Sequence, residues 1–405
     1  MRALLVTMGS RGDVQPYLAL ARGLLAAGHE PVVAGPRRFE PLATPHGIAY
    51  APLPDEMLDL QDKVKGNGAR ATITAARSVR PMIRRLLEAQ SELLRQDADV
   101  VVYHPKALAG PYLAERSGVP AVAGLLLPLY VPTAAFASPI LPVRLPRALN
   151  RASWRMASAV ELPYRGAVRA WRAESLGLRD AFPAMAELVR QGPVLHAWSP
   201  HLLPSPGDWP DRATPTGFWN LPAGPAWTPS ARLAHFLDSG EPPVYVGFGS
   251  MVGPDPQALT ALVIDAVRRT GRRAVLATGW GGLRPGDEPD GVLMIDEAPH
   301  DWLLPRTAAV VHHGGIGTVA AALRAGVPQV VRPFVGDQPF WAARAHVAGV
   351  APAPLGRRLT AEGLATAINR AVTDPEMTGR ARALGRAVRS ENGVGAAVDV
   401  LEKLV

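Results

Sequence analysis

Short apolar runs recur along the chain, each followed by a polar or glycine-bearing loop and then by a segment of helical period. Met1 to Thr7 is the first such run, and Met8-Gly9-Ser10-Arg11-Gly12-Asp13 is the loop after it. Val14 to Ala27 reads as a helix, with Pro16 near its first turn and Gly28 at its C-cap. Pro31 to Ala34 is a second strand, so the chain opens β-loop-α-β, the start of a doubly wound sheet. Later strands are expected at Val100 to Tyr103, within 121–131, at Val194 to Trp198, and near Thr216 to Trp219 as an edge. The second half repeats the pattern. Val244-Tyr-Val-Gly-Phe-Gly-Ser-Met is a strand ending in a glycine turn, with a helix from Gln257 to Thr270. Strands follow at Arg273 to Ala277 and Val292 to Ile295, and Val310 and Val311 end another buried parallel strand. Thr318 to Ala325 is then a strong helix former, stopped by Gly326 and Pro328.

At 405 residues and 48% hydrophobic content, the chain exceeds one comfortable core and predicts two α/β domains. Prolines recur between Pro200 and Pro243, which reads as a linker. The expected division is 1–213 for the first domain and 214–385 for the second, with 214–229 as linker and 386–405 as a terminal helical segment. No apolar run is long enough to span a membrane, the opening Leu4-Leu5-Val6 is too short for a signal core, and there are no cysteines. These features predict a cytoplasmic chain without disulfides or thiolate metal sites. The net charge of +8 suits acidic ligands, but aromatics make up only 6% and the arginines are scattered, which argues against nucleic acid.

The chemistry concentrates at 308–341. Gly314, Gly315 and Gly317 let the backbone turn sharply after the strand and open a helix. Unpaired N–H groups and the positive end of the helix dipole converge there on an anion. His312, last in the strand, is expected to donate to a phosphate oxygen, with His313 beside it. Gly249 and Ser250 end another strand and are expected to donate to a diphosphate. Asp337 and Gln338, a carboxylate and an amide, suit adjacent sugar hydroxyls. Trp280 and Trp302 are stacking candidates or packed side chains. In the first half, the loop spacing Gly9-Ser-Arg-Gly12-Asp-Val fails the dinucleotide fingerprint. Asp13 stands in that crevice loop and doubles as a helix-capping group. Asp97-Ala98-Asp99 forms a DxD triplet, but at the strand end opposite the ligand crevice. His104-Pro105-Lys106 lies on the crevice side.

The segments 9–16, 244–250, 276–283, 296–305 and 310–341 together resemble the GT-B glycosyltransferases of family 1. Ser10-Arg-Gly-Asp is similar to the sterol-type and glycopeptide-antibiotic members, and Thr-Gly-Trp-Gly-Gly-Leu and Pro-His-Asp-Trp resemble sterol-type members more closely than macrolide-antibiotic ones. The resemblance implies two Rossmann-like domains facing across a cleft, the first binding the acceptor and the second the nucleotide sugar, with the terminal helix crossing back. It implies Asp13 at the position of the catalytic base. It puts His104 where relatives carry the aspartate that orients their catalytic histidine, so the pair is reversed. Ser10, Gly249, Ser250, Trp280, Ala298, Trp302, His312, His313, Gly314, Gly315, Gly317, Thr318, Asp337 and Gln338 fall on donor-binding positions, Ala298 by main-chain contact to the base. Glu297 stands where plant members carry a base-stacking tryptophan, which leaves UDP and dTDP both open.

The implied reaction is inverting and metal-independent, with no cofactor beyond the donor. A hexose, glucose in the favoured case, passes from UDP- or dTDP-sugar to a hydroxyl of a hydrophobic natural-product or sterol-like aglycone. Two alternatives stay open: a GT-B sugar-nucleotide 2-epimerase, and a non-catalytic auxiliary of a glycosyltransferase. Residues 132–180, with eight arginines from Arg144 to Arg179, are expected to shape the acceptor pocket. As an amphipathic basic surface they could also touch anionic lipid. Oligomeric state is left open.

Overall fold

The computed structural model describes residues 1–56, 81–141, 145–159, 162–179, 182–249, 251, 255–279, 283–284, 288–356 and 358–405, with main chain alone for 156–159. Ser250 and Trp280 lie outside the described residues, as does Arg144. The chain divides into two compact units: Met1–Pro200 with Pro204–Leu221 and Asn392–Val405, and His201–Leu203 with Pro222–Glu391.

The first unit holds a seven-stranded sheet of β1 (Arg2–Val6), β2 (Glu30–Pro36), β3 (Ala49–Leu53), β4 (Val100–Tyr103), β5 (Ala121–Leu125), β6 (Val194–His196) and β7 (Ala213–Pro215). Its order is β3-β2-β1-β4-β5-β6-β7 and every pairing is parallel. Val100, Val101 and Val102 are buried in the middle of the sheet, as β-branched residues covered on both faces should be. Helix α1 (Arg11–Ala26) follows β1 and buries Val14, Tyr17, Leu18, Leu20 and Leu24. The last strand falls at Ala213–Pro215 rather than at 216–219. The residues after it, Phe218 and Trp219, are buried, so the first unit runs on to Leu221.

The second unit holds β8 (Val244–Gly247), β9 (Ala274–Ala277), β10 (Val292–Ile295), β11 (Ala309–His312) and β12 (Gln329–Val331), all parallel, in the order β10-β9-β8-β11-β12. Helix α2 (Ile316–Ala325) follows β11 and ends on Gly326, whose φ of 72° closes it in the left-handed region. A helix over Pro375–Ser390 completes this unit. Helix α3 (Gly393–Glu402) belongs to the first unit, against α1. A Cβ on Gly23 would lie 2.1 Å from Val394 Cγ1, so the absence of a side chain on Gly23 permits that packing. Both units are thus doubly wound, Rossmann-like parallel sheets.

Candidate active site

In each sheet the chain order reverses at one point, and α/β sheets bind ligands beyond the carboxyl ends of the strands flanking it. In the first unit that point lies between β1 and β4. Asp13 follows β1, at the third position of α1, and His104 follows β4 directly. Gly9, with φ 125°, admits the Asp13 side chain: a Cβ there would sit 2.2 Å from Asp13 Oδ2. Asp13 Oδ2 accepts from the Ser10 main-chain N–H at 2.8 Å and from the Ser10 hydroxyl at 3.1 Å. Asp13 Oδ1 accepts from Lys106 Nζ at 2.8 Å and faces His104 Nε2 at 3.5 Å. The Lys106 main-chain N–H donates to His104 Nδ1 at 3.1 Å, which leaves the ring proton on Nε2, toward Asp13.

The electrostatics follow from these contacts. Burial pushes the Asp13 carboxyl up, but Lys106, His104 and the Ser10 N–H together outweigh it, and its pKa falls below the usual value. Burial lowers His104 to about 4, against an upward pull from Asp13. At neutral pH the site is therefore a carboxylate beside a neutral imidazole N–H. Ser10, expected with the donor-binding residues, directs both of its donors to Asp13 instead. Lys106 carries no motif that marks it; only its place two residues beyond His104 hints at a role.

The reversal point of the second unit lies between β8 and β11. Gly249 follows β8 with φ 59°, and a Cβ on it would meet His313 Cε1 at 3.4 Å. Gly279, after β9, has φ 52° and packs its backbone against Gly249. A Cβ on Gly315 would lie 2.5 Å from His313 Nε2, so the glycines after β8 and β11 make room for this one imidazole. His313 Nδ1 is buried and has no hydrogen-bond partner among the described residues. Burial, with a smaller effect of His300, lowers its pKa to about 4, so the ring is neutral.

His312 behaves differently from the expectation. Its ring is fully buried, Nε2 meets Gln329 Oε1 at 2.9 Å, and Nδ1 accepts from the Gly314 N–H at 3.1 Å. Burial first, then His313, lowers its pKa to about 3. Both nitrogens are engaged inside the protein, because side chains alternate along a strand and His312 takes the inward direction. His312 therefore has no ring nitrogen left to offer a phosphate. Gly314 likewise gives its N–H to His312, and Thr318 gives its own to Gly315 O at 3.0 Å. The N–H groups of Gly315, Ile316 and Gly317 make no hydrogen bond among the described residues, and they open α2. A Cβ on Gly317 would meet nothing within 4 Å, so this helix end is sterically open.

Asp337 and Gln338 do not present a matched pair of sugar-binding groups. Gln338 is buried, and its Oε1 accepts from the Phe334 N–H at 2.7 Å and the Val335 N–H at 3.1 Å. Its Nε2 lies 3.2 Å from Met251 Sδ. Gln338 therefore shapes the turn that carries Asp337, whose Oδ2 accepts from Trp341 Nε1 at 3.1 Å. Trp302 is half-buried, with the Arg306 guanidinium 4.4 Å from its ring centroid and Trp227 edge-on at 5.2 Å. Ala298 is half-buried just before Pro299, which caps the short helix His300–Leu303. Asp97 and Asp99 of the DxD triplet both pair with Arg2, at 3.2 and 2.8 Å.

Residues 3–136 match the glycosyltransferase family 28 N-terminal domain, and residues 282–403 match the C-terminal domain of erythromycin biosynthesis protein CIII-like chains. A sterol 3-beta-glucosyltransferase of Emericella nidulans is 37% identical over 98% of this chain, which spans 29% of that protein. One from Arabidopsis thaliana is 34% identical over 100% of this chain, which spans 65% of that protein. The fold is shared with the calicheamicin glycosyltransferase CalG4, at a TM-score of 0.72 and 22% identity over 100% of this chain and 98% of that one. It is shared also with the glycosyltransferase VinC in complex with dTDP, at a TM-score of 0.70 and 22% identity over 100% and 99%. The chain belongs to the GT-B glycosyltransferase family that takes in these sterol-type and antibiotic-type enzymes.

Proposed function

We propose that the protein is an inverting glycosyltransferase moving a hexose, glucose in the favoured case, from UDP- or dTDP-sugar to a hydroxyl of a hydrophobic sterol-like or natural-product aglycone. The observation that carries this reading is the Asp13 carboxylate with the neutral His104 N–H beside it, both at the reversal point of the first sheet. The names of the sterol 3-beta-glucosyltransferase relatives support the acceptor class and the sugar.

In this reading Asp13 Oδ1 takes the proton of the acceptor hydroxyl as that oxygen bonds to the anomeric carbon. The bond from that carbon to the diphosphate oxygen breaks on the opposite face, and its electron pair leaves with the nucleoside diphosphate. The sugar passes through an oxocarbenium-like transition state. Negative charge grows on the leaving group, and N–H donors already aimed at it stabilise the transition state more than the ground state. His313 and the N–H groups of Gly315, Ile316 and Gly317 are the donors assigned to that role. His104 keeps its Nε2 N–H facing Asp13 at 3.5 Å, an electrostatic support for the carboxylate until the proton arrives.

The test is a donor-by-acceptor screen read by mass spectrometry, with UDP- and dTDP-glucose against hydroxylated sterols, polyketides and peptides. Donor alone is the control. A glycosylated acceptor, or slow release of free sugar from the donor, supports transfer. Inversion at C2 makes the protein an epimerase, and complete inertness toward both donors makes it an auxiliary.

A further inference from the structure

The two carboxylate oxygens of Asp13 accept three hydrogen bonds among the described residues in the resting protein. Oδ2 is taken by the N–H and the hydroxyl of Ser10, at 2.8 and 3.1 Å. Oδ1 is taken by Lys106 Nζ at 2.8 Å and shouldered by His104 Nε2 at 3.5 Å. A hydroxyl that is to give its proton to Oδ1 competes there with the Lys106 ammonium. Ser10 is tied to α1 by its own main chain, and its carbonyl accepts from the Asp13 and Val14 N–H groups. His104 is buried at the end of β4. Lys106 differs from both: its side chain is 56% exposed, on a flexible stem, and reaches Asp13 only through the ammonium.

We propose that Lys106 is a displaceable latch on Asp13, closing the carboxylate edge to water and yielding it to an acceptor hydroxyl. The inference rests on the reading of Asp13 as the base. A lone water gains little by displacing an ion pair at 2.8 Å. An acceptor with a large apolar body brings its own binding free energy to that exchange. Without the latch, Asp13 would take a proton from water, the water oxygen would bond to the anomeric carbon, and the nucleoside diphosphate would leave. The products would be free sugar and nucleoside diphosphate. With the latch closed, the donor is preserved until an acceptor arrives. Once the ammonium has moved away, Asp13 also loses its main stabilising neighbour and becomes a stronger base when the proton must be taken.

The experiment compares Lys106→Met, Lys106→Arg, Asp13→Asn and the double variant Asp13→Asn/Lys106→Met, with the sugar donor in water alone and then with acceptor. Methionine keeps the main-chain N–H that orients His104. Lys106→Met should release free sugar about tenfold faster or more than the parent, a part of the 10²–10⁴ range of general-base catalysis. Lys106→Arg should stay near the parent rate, and the double variant should lose the gain. A misfolded variant cannot hydrolyse faster, so the gain separates a latch from a structural role. If Lys106→Met hydrolyses no faster than the parent, or if the gain survives in the double variant, the latch is refuted. If Asp13→Asn alone keeps full transfer, the base assignment fails instead.

Discussion

His312 Nε2 lies 2.9 Å from Gln329 Oε1, and this contact ties the last residue of β11 to the first of β12. The neighbouring His313 has no such tie at Nδ1 among the described residues and sits among Gly249 and Gly315. Adjacent histidines thus divide the work, one inside the fold and one at the mouth of the sheet.

His313→Ala should lower kcat/KM by about 100-fold, the scale of removing one donor to a developing anion, with little change in melting temperature. His312→Ala should do the reverse in kind. It leaves the buried Gln329 amide and the Gly314 N–H without a partner, costing about 1–3 kcal/mol of stability. Thermal melts and steady-state kinetics on both variants check the division. If His312→Ala loses turnover with an unchanged melting temperature, the assignment is inverted.

Much of this was legible from the chain itself. The runs Val100–Tyr103 and Val244–Gly247, with a glycine turn after the latter, announce parallel strands, and Gly314 to Gly317 announce a helix entry. Asp13 and His104 lie 3.5 Å apart because the segments after β1 and β4 leave adjacent strands on the two sides of a reversal point. Side-chain direction was the part that pattern could not supply. In a sheet covered on both faces, hydrophobicity does not say which of His312 and His313 turns inward. Gln338 shows the same limit: its amide is drawn back onto the Phe334 and Val335 N–H groups by the tightness of the turn, which composition does not encode. Lys106 falls on the crevice side with His104, but no motif marks a lysine there as the partner of Asp13.

Asp13→Asn should remove transfer by roughly 100-fold or more, since the amide cannot accept the acceptor's proton. The sign of the pH dependence follows from the groups around it: Lys106, His104 and Ser10 hold Asp13 below the usual carboxyl value. Tyr17, which also faces it, has its own ionisation pushed well up by burial and is uncharged. The acid limb of kcat/KM should therefore lie below the ordinary carboxylate range. His104→Ala should cost less rate than Asp13→Asn and move that limb upward. A pH–rate profile from pH 2.5 to 8, with short incubations at the acid end, checks both, and an unchanged limb in His104→Ala would sink the pairing.

Chelation should leave the rate unchanged. The acidic pair most suggestive of a cation, Asp97 and Asp99, is engaged by Arg2, and the Asp97 side chain is 86% exposed. Asp97→Asn should change stability by less than about 1 kcal/mol, as exposed ion pairs do. Turnover measured with excess EDTA, then with added magnesium, decides. A collapse on chelation that magnesium restores would overturn the metal-independent assignment.

Acid should destabilise the fold before it silences the base. His196 packs between Trp198, at 4.2 Å and stacked, and Trp209, at 4.5 Å. Both of its ring nitrogens are buried without a partner among the described residues, and burial lowers its pKa to about 3. His312 sits near 3 as well, and His104 and His313 near 4. In the unfolded chain each would titrate near its ordinary value of about 6.5. Above that pH all are neutral in both states and contribute no slope. Between it and the folded values only the unfolded state binds the protons, so stability falls as pH falls, by about 1.4 kcal/mol per pH unit for each fully titrating histidine. His196→Phe keeps the aromatic stack and removes two unpartnered nitrogens, so it should hold or raise stability at pH 7. It should also remove one histidine's share of the acid slope. Denaturant unfolding at pH 7, 6 and 5 for parent and His196→Phe measures both quantities. An identical slope in the two proteins would mean that His196 is protonated, and paired, inside the fold.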